Sequence, residues 1–125
     1  MSMMLRMVIG LAAVLALVSV AYAGDQGEGE QSCDGNTYQM VECLKAKIAQ
    51  WDKRLNIAYQ KAVQDAQPAQ RDQLRAAQRL WIQYRDANCL YYGLGEGTIA
   101  RLDAGECMRS MTEARAKELE GLAHQ

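Results

Sequence analysis

Four cysteines are the side chains here best equipped for chemistry, and three fates are open to them: redox catalysis, metal binding or disulfide formation. No C-x-x-C motif is present, and the spacings Cys33-x9-Cys43 and Cys89-x17-Cys107 lack the close pairs of a structural zinc site. Two disulfides are therefore expected. The one histidine, His124, is second from the end of the sequence, which leaves no imidazole for a nucleophile–base triad or a metal cluster. Asp52 and Asp86 could serve as a carboxylate acid–base pair, yet each has a plainer neighbour, Lys53 for the first and Arg85 for the second. With no nucleophile beside a base, the residues predict a non-catalytic domain with no metal and no cofactor. The methionines do not change this. Met1, Met3, Met4 and Met7 crowd the start of the chain, and Met108 and Met111 fit a helical core stripe.

Disulfides need an oxidising compartment, and the first residues read as the route to one. Arg6 is the only charge before an apolar run from Met7 to Val18, and Ala21-Tyr22-Ala23 has the small-residue form of a signal-peptidase site. Residues 1–23 are expected to be a signal peptide cleaved after Ala23. A run of about 12 to 15 apolar residues is short of the roughly 20 that span a bilayer, so no membrane span should remain after cleavage. Cleavage removes one basic residue from 14 and none of the 15 acidic ones, leaving 13 against 15 and a net charge of −2. That balance argues against a nucleic-acid partner, which calls for a basic face. Residues 24–35 hold Asp25, Glu28, Glu30 and Asp34 among four glycines with no Lys or Arg, and read as a flexible acidic leader. What remains, residues 36–125, is enough for one domain and small enough for covalent staples to matter.

The elements that must position these groups are helices. From Tyr38 to Ala66 there is no Gly or Pro, and Met40, Leu44, Ile48, Trp51, Leu55, Ala58, Tyr59 and Ala62 recur at steps of three and four. Asn36 or Thr37 is the expected N-cap. Pro68 ends this run and suits the first turn of a second helix over about 69–92, with Leu74, Ala77, Trp81, Tyr84 and Asn88 along its inner face. Gly93-Leu94-Gly95-Glu96-Gly97 breaks that helix, and Thr98 can cap a third one carrying Leu102, Met108, Met111, Leu119 and Leu122. Gly105 is expected to kink it or break it. The fold class is all-α: a small antiparallel bundle of about three helices stapled by two disulfides. Levelling the cysteines at one end of that bundle favours Cys33–Cys89 with Cys43–Cys107 among the three pairings that four cysteines allow.

Gln78, Trp81 and Arg85 share one face of the second helix, and Asp52, Asn56 and Tyr59 have similar spacing on the first. Polar groups beside a core stripe pair across the interface, because a buried donor left alone costs about 1–3 kcal/mol. They are expected, with Arg115, to form a structural polar network between helices; a ligand site is the competing reading.

Three patterns here look like the LprI-type lysozyme-inhibitor domain. They are Asp52-x2-Leu55-Asn56-x2-Tyr59; Leu74-Arg75-x-Ala77-Gln78-Arg79-x-Trp81-Ile82-x-Tyr84-Arg85-Asp86-Ala87-x-Cys89; and Cys107-x4-Thr112-x2-Arg115-x3-Leu119. The resemblance covers about residues 33–122 and implies a small periplasmic or secreted bacterial domain, in a family named for a lysozyme inhibitor. Two functions then compete. One is a protein-binding inhibitor with lysozyme as partner, whose contact surface is the loop between helices 2 and 3, offering Tyr91, Tyr92, Leu94 and Glu96. The other is a periplasmic structural or adaptor module with no lysozyme-related activity, in which that loop is an ordinary helix connection.

Overall fold

The computed structural model describes residues 32–122. The predicted signal peptide, most of the acidic leader and His124 lie outside them. Three helices follow in order: α1 (Thr37–Asp65), α2 (Pro68–Gly93) and α3 (Ile99–Leu122). No strand occurs among the described residues.

Local chemistry sets the helix ends. The Asn36 Oδ1 accepts from the Gln39 backbone N–H at 3.0 Å, while the Gln39 Oε1 accepts from the Asn36 N–H at 3.0 Å, a reciprocal box that satisfies two orphan donors. At the other end of α1, Arg71 reaches back from α2. Its Nε donates to the Val63 carbonyl at 2.9 Å and its Nη2 to the Ala66 carbonyl at 3.1 Å. A cation therefore sits on the negative end of the α1 dipole and closes the two-residue turn into Pro68.

The core gathers on α3. Leu119, Ala116 and Thr112 are fully buried, and Leu119 and Ala116 pack with Leu55 and Ala58 of α1. Trp51, Tyr59, Leu74 and Trp81 lie half-buried around this centre. Burying one such leucine contributes about 1.5–3 kcal/mol. The backbones of α1 and α2 each approach α3 closely but stay farther from one another. Small residues, Ala58 of α1 and Ala116 of α3, meet in the core between those two helices.

Two expectations fail here for identifiable reasons. Gly105 neither kinks nor breaks α3, which runs through it without interruption. Its bare backbone instead receives Leu44, whose Cδ1 would lie 3.1 Å from a Cβ at that position. The disulfides pair consecutively, Cys33–Cys43 and Cys89–Cys107, each with Cα atoms 5.5 Å apart, and not as Cys33–Cys89 with Cys43–Cys107. Gly35, at φ +126°, turns residues 32–34 so that Cys33 meets Cys43 in the second turn of the helix that follows. Cys89, one turn before the end of α2, is then level with Cys107 across the short loop.

Candidate functional site

The polar side chains singled out by the sequence divide into two groups, and both involve helix contacts. Arg115 is nearly buried. Its Nε donates to the Gln78 Oε1 at 3.0 Å, and its Nη1 meets the Glu118 carboxylate at 2.8 Å. Thr112 donates its hydroxyl to the Met108 carbonyl one turn back, at 2.6 Å. The second group centres on Arg85, whose guanidinium stacks 5.0 Å from the centre of the Trp81 ring, pairs with Asp86 at 2.9 Å and stands 3.9 Å from Asp52 on α1. Gln78 therefore pairs with Arg115, a member of the expected network on α3, and not with the α1 side chains that share its spacing. Tyr59 packs on the core, and Asn56 is exposed on the outer side of α1 beside Ile57 and Gln60.

One contact cluster joins Asn88 and Met111, both expected on inner helix faces, to a disulfide with which the sequence did not pair them. The Asn88 Nδ2 lies 3.4 Å from both the Cys107 Sγ and the Met111 Sδ, and that thioether is 3.8 Å from each disulfide sulfur. Neither bridged sulfur carries a proton, so these sulfur–sulfur approaches are packing, and Met111 with Asn88 covers the Cys89–Cys107 bridge.

The α2–α3 connection is built to project. Leu94 N–H donates to the Leu90 carbonyl at 3.0 Å and Gly95 N–H to the Tyr92 carbonyl at 3.1 Å, which closes the helix end. Gly97 then turns the chain at φ +74°, and Ala100 is buried at the base. Tyr91 and Leu94 are 76% and 75% exposed, the largest such values among the big apolar side chains of the described residues. The Tyr91 and Tyr92 rings meet edge to face at 5.3 Å, and Glu96 is exposed at the tip. A crosslinked base thus carries two edge-to-face tyrosines, an exposed leucine and one exposed carboxylate.

A concavity runs between α1 and α3. It is a shallow groove of about 390 Å³ floored by Ala58 and Leu119 and rimmed by Lys53, Arg54, Lys61 and Glu120. The Arg54–Glu120 pair crosses it, and Trp51 alongside is flanked by Arg54 at 4.8 Å and Lys117 at 5.3 Å. The hydrogen bond from Arg54 holds the Glu120 carboxyl below the usual carboxylate range. Glu113 is lowered in the same way, by Lys117 first and then Arg109, and Glu106 by Arg109. Among the described residues, no group of three or more His, Cys, Asp or Glu could hold a metal ion, and no helix is long and apolar enough to cross a membrane.

Residues 28–119 match the family model described as lysozyme inhibitor LprI. Neither a curated protein nor a solved structure matches the chain. The family match covers both disulfides, both polar groups and the projecting loop, which is well over half of the sequence, and the chain belongs to the LprI lysozyme inhibitor family.

Proposed function

We propose that this chain is an exported, protein-binding inhibitor of lysozyme that acts through the end of α2 and the loop after it, with Tyr91, Tyr92, Leu94 and Glu96 as its contacts. The observation that carries this reading is the exposure of Tyr91 and Leu94 on a crosslinked base in a member of this family. Lysozyme cleaves its glycan between two carboxyl groups in a cleft. A turn made narrow by three glycines can enter such a cleft, with the apolar side chains filling it and the Glu96 carboxylate facing the rim of a basic enzyme. Function is by binding, without catalysis. Two disulfides, with the signal peptide expected from residues 1–23, support a periplasmic or secreted location.

Titrating the mature, oxidised chain into a lysozyme cell-wall clearing assay tests this. Inhibition is expected at or below tens of micromolar, and Tyr91→Ala and Leu94→Ala should each raise the half-inhibitory concentration about tenfold, as removal of a central contact residue does. No inhibition at that concentration removes the reading. It would leave the structural or adaptor module, which has its own support: Gln78, Thr112 and Arg115, all in the family-like patterns, are buried, and the Gln78–Arg115 bond ties α2 to α3.

A further inference from the structure

Along α2 and into its cap, Leu80, Tyr84, Ala87, Tyr91 and Leu94 recur at steps of four, three, four and three residues. That is the spacing of a coiled-coil seam. In this chain the seam has no partner: Leu80 is 65% and Tyr84 62% exposed, Tyr91 and Leu94 more so, and Ala87 is exposed as well. The opposite stripe of α2, with Gln78, Trp81 and Cys89, is the one turned to the core. Leu94 keeps a helical backbone at φ −86° and ψ 0°, so the seam extends through the C-cap to a length of about 20 Å.

The geometry points to a second copy of this chain as the occupant, with the two α2 helices packed antiparallel. Turned end for end, the seam fits itself. In the register that levels Tyr84 with Ala87 of the other copy, Leu80 faces Tyr91 and Leu94 faces Ala77. Large side chains then meet small ones at the centre and near the ends. The seam and its outer flank, Ala76, Gln83 and Leu90, carry no charge, so apposing two copies brings no like charges together. A strongly charged partner would find nothing on this stripe to pair with. Antiparallel helices also align opposite dipole ends. The exposed side chains amount to roughly 600 Å² per copy, which is at the low end for a specific interface and corresponds to a reversible dimer.

This inference goes beyond the inhibitor reading, although the two share residues. Tyr91 and Leu94 belong to both surfaces, so a second copy and lysozyme exclude each other there. Leu80 and Tyr84 belong to the seam alone.

Sedimentation equilibrium of the oxidised mature chain, from about 5 to about 500 µM, tests the proposal. The mass should rise from monomer to twice that value across this range. Leu80→Glu and Tyr84→Glu should each weaken association at least tenfold with an unchanged far-UV circular dichroism spectrum. Ile57→Glu, at an equally exposed apolar position on α1, should leave association unaltered. A wild-type chain that stays monomeric throughout, or a dimer that survives both seam substitutions, overturns the proposal. Neither result bears on lysozyme inhibition, which is measured separately at concentrations where the chain is monomeric.

Discussion

Replacing Gln78 with methionine keeps the length and bulk of the side chain and removes only the acceptor that faces the Arg115 Nε. Both residues are at least nine-tenths buried, and the bond is 3.0 Å long. Its donor is charged. Hydrogen bonds to charged groups contribute about 1.5–3 kcal/mol, and the guanidinium would be left with an unpaired N–H in the core. The remaining partner, Glu118, is 63% exposed and can offset little, since ion pairs in solvent contribute about 0–1 kcal/mol. Gln78→Met should therefore cost about 2 kcal/mol. In a domain of this size that is a fall in Tm of about 8–16 °C. Glu118→Ala should cost well under half as much. The double variant Gln78→Met/Arg115→Met should recover part of the loss, because removing both partners leaves no buried donor. Urea unfolding followed by circular dichroism, with the disulfides intact, gives the free energies of wild type, Gln78→Met, Arg115→Met, Glu118→Ala and the double variant. A Gln78→Met chain within about 0.5 kcal/mol of wild type would refute the reasoning, as would a double variant that costs the full sum of the single ones.

Two more outcomes follow from the same contacts. Opening the Cys89–Cys107 bridge by the double serine substitution frees a loop with a sequence separation of 18 and should cost about 3 kcal/mol, read from the same urea curves. Glu106, Glu113 and Glu120 are held below the ordinary carboxylate value of 4.5 in the folded chain. Their contribution is thus complete above that value and is lost as the pH falls through the lower folded values, so Tm should be level from neutral pH to about 5 and decline below it. Glu120→Gln should make that decline shallower in a pH series of thermal melts.

Much of the fold was legible because helix boundaries depend on local chemistry. The Gly- and Pro-free run after Asn36, Pro68 at the first turn and the glycine cluster after Tyr92 mark the three helices to within a residue or two. What was illegible depends on which face of a helix meets which neighbour. Helix α2 carries two apolar stripes at helical spacing, and Tyr84, assigned to the inner one by periodicity, is exposed on the outer one. Gln78 was matched to α1 because the spacings agree, whereas α3 lies between them as the closest neighbour of both. Gly105 has the residue type of a breaker and acts as a socket for Leu44, a role set by the opposing helix. Levelling arguments for the cysteines failed likewise, because Gly35, read as part of a flexible leader, turns the chain so that Cys33 meets Cys43. Arg71, which closes the turn between α1 and α2, had no signal beyond its charge.

Because the bridges join the first cysteine to the second and the third to the fourth, each thiol has its native partner as its nearest neighbour along the chain. For a polypeptide threaded through a membrane N-terminus first, Cys33 and Cys43 arrive together and can be oxidised before Cys89 emerges. A simple dithiol oxidase then suffices for correct maturation, with no shuffling enzyme required afterwards.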